Sequence, residues 1–299
     1  MLTVITPCLN RHQTIRRAIE SVRKQDYKYV EHIVVDGCST DGTLAILDEY
    51  QDVRVISEPD INLYDAINKG IMAAQGDVVC HLNSDDIFLP GAFSLAMTLF
   101  TENVQLEMVS GGAEVIEHSV NGGERVIARH NSFLTKSLRE RDVISGVPII
   151  NARFFHRTVY DRVGFYDLRF PLAADREFLL RVIIAKINNH VLPQVVYRYY
   201  SHSGSLTFAG SSVGMVLARA NYHVAHQTYC DNRKDRNNIG MRRRWLAWTV
   251  GYLIRCLLGD RRAKEALQLG CKTMVYDFAW LIRFLHQTVG HWHERSLRQ

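Results

Sequence analysis

Asp77-Val78-Val79-Cys80-His81-Leu82-Asn83-Ser84-Asp85-Asp86 is a short apolar run that stops on two adjacent carboxylates. The run reads as a buried strand. Carboxylates side by side repel each other and are costly to strip of water unless a cation sits between them and a ligand. A hard divalent ion holding a diphosphate fits that requirement. A solvated Asp pair opening the turn before Pro90-Gly91 is the competing reading. The residues upstream favour the first.

Leu2-Thr3-Val4-Ile5-Thr6 is an apolar, β-branched run that stops at Pro7, which predicts a strand and then a loop. Ile15, Ala18, Ile19 and Val22 follow at helical spacing, with Arg16, Arg17, Arg23 and Lys24 off that face. His32-Ile33-Val34-Val35 and Val53-Arg54-Val55-Ile56 are further strands, separated by a helix opening near Thr43. Leu63 to Ala74 reads as a helix with Gly76 as its C-terminal cap. Strand and helix alternate as in βαβ crossovers, so an α/β fold with a parallel, doubly wound sheet is expected. From 108 to 150 the pattern weakens to short pieces such as Met108-Val109-Ser110 and Ala113-Glu114-Val115-Ile116. Asp175 to Ala185 reads as a helix and Gln194 to Tyr200 as a strand.

The chain of 299 residues is 47% apolar and 22% charged, ordinary values for a globular protein with a substantial core. Its 6 cysteines are scattered, without zinc spacing, which points to free thiols in a reducing compartment. Met1-Leu2 runs straight into the first strand, so no signal peptide is expected. The longest apolar candidate for a membrane span, Trp245 to Leu258, is too short and carries Arg255. Residues 206–299 hold 15 Lys/Arg against 6 Asp/Glu, whereas the first 205 hold 21 against 25. The character of the chain changes there, and the expected domains are 1–205 and a basic, Pro-free helical region 206–299.

Ligands of open α/β sheets sit at the carboxyl ends of the strands. Pro7-Cys8-Leu9-Asn10 follows the first strand, Asp36-Gly37-Cys38-Ser39-Thr40-Asp41-Gly42-Thr43 the second, and Asp85-Asp86 the fourth. A carboxylate at Asp36 can accept the ring N–H of uracil or guanine. Asp41 and Thr43 suit the cap of the next helix. No G-x-G-x-x-G and no Walker A pattern is present. Bound phosphates would therefore need a metal ion for positive charge.

Taken in order, Thr6-Pro7-Cys8-Leu9-Asn10, Val35 to Thr43 and Leu82 to Asp86 resemble family 2 of the inverting glycosyltransferases. Glu58-Pro59-Asp60-Ile61-Asn62-Leu63-Tyr64-Asp65-Ala66-Ile67-Asn68-Lys69-Gly70 is similar to a branch found in bacterial polysaccharide assembly. The resemblance covers residues 2–205. It implies a GT-A fold, Rossmann-like with a mostly parallel central sheet flanked by helices, here with a C-terminal helical extension. A nucleotide-sugar half would span about 1–107 and an acceptor half about 108–205.

The resemblance also implies roles. Pro7, Leu9, Asn10, Asp36, Lys69, Asp85 and Asp86 would line the donor, with Asp36 on the base. Asp85 and Asp86 would hold Mn2+ or Mg2+. Lys69 reads either as a phosphate contact or as a solvated lysine. Asn83 stands where many members have Asp, and Leu9 replaces an aromatic that stacks on the base. Asp175, in Leu172-Ala173-Ala174-Asp175-Arg176-Glu177, matches the general base; a simple helix cap is its other reading. Asn151 falls on the acceptor side, where relatives often carry His. His202 matches a loop histidine that can contact the metal or the leaving diphosphate.

These features imply an inverting transfer from a nucleotide-sugar, UDP-linked by preference, to a saccharide hydroxyl. The acceptor would be a polyprenyl-diphosphate-linked precursor of a cell-surface polysaccharide, at the cytoplasmic face of the membrane. A nucleotidyltransferase would need a Gly-rich activating loop after the first strand, which is absent. An inactive nucleotide-binding scaffold is the remaining rival, because Asn83, Ala174 and Asn151 depart from the family pattern. Arg242-Arg243-Arg244 beside Trp245-Leu246-Ala247-Trp248, and the later Ala279-Trp280-Leu281-Ile282-Arg283-Phe284-Leu285, read as an anionic-membrane surface, as helix packing, or as both together. No nucleic-acid-binding module is visible, so no nucleic-acid partner is expected.

Overall fold

The computed structural model describes residues 1–118, 123–130, 138–147, 149–201 and 211–286. The chain divides into two compact units. One comprises Met1–Arg139, Val147–Pro171 and Arg181–His202; the other comprises Glu140–Gly146, Leu172–Leu180 and Ser203–Gln299.

In the first unit β1 (Leu2–Cys8), β2 (Val30–Asp36), β3 (Val53–Ser57) and β4 (Val78–His81) run parallel. They are joined by α1 (Ile15–Arg23), α2 (Thr43–Leu47) and α3 (Leu63–Ala73). α1 turns the expected apolar face inward, burying Ile15, Ala18, Ile19 and Val22. After the short β5 (Ile87–Phe88) and α4 (Ala92–Glu102), the direction of pairing changes. β6 (Met108–His118) takes β7 (Glu124–His130) and β8 (Arg153–His156) antiparallel, and β8 in turn pairs antiparallel with β4. α6 (Thr158–Val163) follows β8, and β9 (Asn189–Ser201) lies parallel to β6 and antiparallel to β5. The order is β3-β2-β1-β4-β8-β6-β9-β5, with β7 attached to β6. The sheet is therefore mixed, with its parallel part confined largely to the N-terminal half.

Two local readings change. β1 does not stop before Pro7; it continues to Cys8 in register with Val35 and Asp36. Its ladder with β4 ends at Ile5, so at Pro7 only one flank of the strand is paired and the missing N–H is tolerated. Gly76 is not the cap of α3, which ends in the extended residue Ala74. A Cβ at Gly76 would stand 2.7 Å from Thr3 Oγ1 and 2.8 Å from Met1 O, so glycine is required there by close approach to β1.

Two histidines are buried in this sheet, His32 on β2 and His81 on β4. Thr6 Oγ1 lies 2.9 Å from His32 Nε2. Desolvation lowers the pKa of His32 to about 4 and of His81 to about 3. Both stay neutral in the fold, whereas the unfolded chain takes up their protons near pH 6.5. Their contribution is thus fully present above pH 6.5 and is lost as pH falls toward 4, at about 1.4 kcal/mol per pH unit for each histidine. Thermal melts between pH 7.5 and 4.5 are expected to show a shallower decline for His32→Gln than for the parent; equal slopes would refute this account.

The second unit is helical: α5 (Glu140–Ile144), the first turns of α7 (Ala174–Ile184), α8 (Ser211–Asp231), α9 (Ile239–Gly259) and α10 (Ala263–Tyr276). Of the two readings of the Arg/Trp run, packing describes these residues. Trp245 and Trp280 are buried, Arg242 is paired with Asp235 at 2.6 Å, and Arg244 holds Glu140 with two hydrogen bonds. Among the described residues no helix is long and apolar enough to cross a membrane.

Candidate active site

The carboxyl ends of β1 and β2 are stitched together by their loops. Asn10, with φ of 53°, donates its N–H to Ser39 Oγ at 2.7 Å and accepts from Thr40 N–H at 2.9 Å. Asp41 accepts from His12 and from Thr43 N–H, and so steadies the start of α2. Asp36 is fully buried, and its carboxylate accepts from Ser39 N–H, Ser39 Oγ–H and Ser57 Oγ–H. In this structure Asp36 shapes the turn after β2. Leu9 is exposed beside it.

Lys69 reaches the loop that follows the carboxyl end of β3. Its ammonium donates to Pro59 O and Asp60, both at 2.7 Å, with Glu58 at 3.2 Å and Asp65 at 3.5 Å. This cation pins the loop after β3. Asp60, which sequence reading passed over, then borders Gly37: a Cβ there would lie 3.0 Å from Asp60 Oδ2 and 3.5 Å from Leu9. Burial pushes the Asp60 carboxyl upward, with Lys69 opposing. Asn62 caps α3 and donates to Leu168 O, while Asn68 exchanges two hydrogen bonds with Tyr166. The Asn62-to-Gly70 segment thus docks residues 166–168 onto α3.

The second cluster forms where β4 ends. Asp86 is buried and accepts from Tyr200 N–H at 2.9 Å on Oδ1, and from Asn83 Nδ2 at 2.9 Å and Tyr197 OH at 3.0 Å on Oδ2. The Tyr197 hydroxyl also accepts from Asn83 N–H at 3.0 Å and from Asn151 Nδ2 at 3.2 Å. Asn151 is thereby joined to the acidic pair through one hydroxyl. Tyr197 is held by an edge-on contact with Phe88, 5.1 Å between centroids. Arg17 completes the arrangement: its guanidinium stacks on Tyr200 at 3.7 Å and donates to Asp85 O at 2.5 Å. No local pattern marks Tyr197 or Arg17, since each acts on a residue far along the chain.

Burial, and next the charge of Asp85, raises the pKa of Asp86 to about 8 despite its hydrogen bonds. Such a pair gains from a nearby divalent cation. Both Asp86 oxygens already accept, leaving one further lone pair on Oδ1. Asp85 is only partly buried. Among the described residues no third Asp, Glu, His or Cys joins the pair as a closed metal cage. Two carboxylates fit an ion that draws its remaining ligands from phosphate and water.

Asp175 belongs to the second unit, in the first turn of α7, and its Oδ1 accepts from Arg176 N–H at 2.8 Å. Arg176 donates to Val143 O, to Ile144 O at 3.1 Å and to Gly146 O at 3.0 Å, tying the start of α7 to the end of α5. Desolvation lowers the Arg176 pKa to about 10 even with Asp175 beside it. His202 lies outside the described residues. Pro7 is buried within β1.

The model of the family described as Glycosyl transferase family 2 matches residues 3–164. The chain belongs to that family. An uncharacterized glycosyltransferase of Mycobacterium tuberculosis, Rv1514c, is 35% identical over 190 residues, covering 61% of this chain and 69% of that protein. The putative teichuronic acid biosynthesis glycosyltransferase TuaG of Bacillus subtilis is 38% identical over 91 residues, 29% of this chain and 36% of its own. Among solved structures, S. aureus TarS 1–349 in complex with UDP-GlcNAc superposes with a TM-score of 0.65 at 19% identity, covering 86% of this chain and 72% of that one. The mannosyltransferase PcManGT of Pyrobaculum calidifontis, in complex with GDP-Man and Mn2+, gives 0.56 at 17%, covering 96% and 84%. The fold of this glycosyltransferase is that of these GT-A enzymes.

Proposed function

We propose that this glycosyltransferase moves a sugar, with inversion, from a nucleotide-sugar to a hydroxyl of a lipid-linked saccharide in the assembly of a cell-surface polysaccharide. The observation that carries the donor half is the Asp85–Asp86 pair at the end of β4, whose buried member is raised to a pKa of about 8. Asp85 and the open lone pair of Asp86 would hold the ion. A bound Mn2+ or Mg2+ would neutralise the charge of the departing diphosphate. Arg17 holds the main chain at Asp85 through its carbonyl oxygen, and Tyr197 holds the Asp86 carboxylate. The base would lie at the turn bordered by Leu9, Asn10, Gly37 and Asp60, with Asp36 fixing its shape. UDP is the preferred nucleotide on family resemblance, supported by the UDP-sugar complex of TarS; TuaG, named for teichuronic acid, supports a glycan acceptor. Asp175 is the proposed general base, taking the acceptor hydroxyl's proton as that oxygen attacks the anomeric carbon. The catalytic domain proposed is 1–205, and the working place is the cytoplasmic face of the membrane.

Calorimetric titration of UDP, GDP and ADP, each with and without Mn2+, tests the donor site. Binding of UDP that requires Mn2+ is expected. Binding of GDP instead would change the base. No binding of any nucleotide by the folded protein would favour a scaffold that has lost its chemistry.

A further inference from the structure

α10 and the residues after it are apolar on two opposite sides. One side packs within the second unit, burying Ala266, Thr273, Trp280 and Phe284. On the other, Leu267 is 70% exposed, Val275 81%, Phe278 86% and Ile282 71%. The chain turns at Asp277, which accepts from Ala279 N–H and pairs with Arg283, and is helical again over 280–286. Four large apolar side chains thus stand exposed within residues 267–282, a concentration of the kind that marks an interaction face.

Charge identifies what covers it. Lys264 and Lys272 stand three residues before Leu267 and Val275, on the same stripe of α10. Both are exposed and make no ion pair among the described residues, and the same holds for Arg255 and Arg261. The acids of this segment are already engaged: Glu265 by Arg262 and Arg219, and Asp277 by Arg283. A second copy seated on this face in an isologous dimer would bring these cations against themselves. A layer of anionic headgroups over an apolar interior matches both features, with lysine stems reaching outward from a helix lying in the interface.

We infer that the outer face of α10 and of residues 277–286, and not the Arg242-to-Trp248 run, rests on an anionic lipid bilayer. This deepens the proposed function by placing the enzyme where a lipid-linked acceptor resides, and rests on that reading only for the acceptor's identity.

The full chain would be mixed with vesicles of phosphatidylcholine alone or with phosphatidylglycerol, and the bound fraction measured by flotation. Binding to the phosphatidylglycerol vesicles is expected, with loss of at least tenfold in Phe278→Ser/Ile282→Ser. Lys264→Gln and Lys272→Gln are each expected to weaken binding about fivefold, the equivalent of about 1 kcal/mol per surface lysine. Melting temperature and nucleotide titration of each variant show that fold and donor site are intact, so failure here is distinguishable from failure of the glycosyltransferase reading. Three results would overturn the inference. One is no binding by the parent, and another is binding that the serine pair leaves unchanged. The third is self-association in sedimentation velocity that the serine pair abolishes, which would give the face to a second copy.

Discussion

Asp175→Asn is expected to lower the transfer rate by about 10²–10⁴-fold, the range for removing a positioned general base, and to leave binding of UDP unchanged. The amide has the shape of the carboxylate and can still accept the Arg176 N–H, so the first turn of α7 keeps its local bond. Arg176 continues to tie that turn to the carbonyls at the end of α5. What disappears is a proton acceptor. Single-turnover transfer to a saccharide acceptor, beside calorimetry with UDP, separates the two effects. Loss of nucleotide binding in this variant would remove Asp175 from the role of base. Unchanged transfer would leave it a helix-terminal residue only.

The second large effect is expected at the acidic pair. Asp85→Asn should abolish the part of UDP binding that depends on Mn2+. Tyr197→Phe removes the hydroxyl that donates to Asp86 and accepts from Asn83 and Asn151, with little change in volume. Its cost to ion-dependent affinity should be about 10–100-fold, typical of residues that orient metal-binding groups. Titrating Mn2+ at fixed UDP measures both. An Asp85→Asn protein that still binds UDP only with Mn2+ would assign the ion to other residues. A Tyr197→Phe protein with undiminished affinity would reduce Tyr197 to a core aromatic.

The parallel half of the sheet was legible because its evidence is local. β1, β2 and β4 each carry a short run of apolar and β-branched residues, and the period of Ile15, Ala18, Ile19 and Val22 gives α1. β6 was read only as fragments because Gly111-Gly112 interrupts its pattern. The structure shows the reason: the register with β9 shifts there, and a Cβ at Gly111 would stand 2.3 Å from Val196. The antiparallel pairings of β5, β7 and β8 depend on partners far along the chain, which no short window contains. The site divides the same way. Asp36, Asp85 and Asp86 were visible as strand-end acids, but burial decides what their oxygens can do, and burial is a property of the assembled sheet. The ion pairs of Lys69 were not legible either, because Glu58, Asp60 and Asp65 become its partners only when the loop after β3 folds back on α3.

The hydrogen bond from Tyr200 to Asp86 spans 114 residues. Its formation waits on β9, the strand that also carries Tyr197 and pairs with β6 across a long connection that contains β7, β8 and three helices. Closing so long a loop is slow compared with forming βαβ contacts. During synthesis, β1 to β4 can assemble while the acidic turn still lacks two of its three donors. Only when the chain has been made past residue 200 does the turn acquire its final shape. The donor site proposed at this turn would thus be complete only after the strands that frame it have closed.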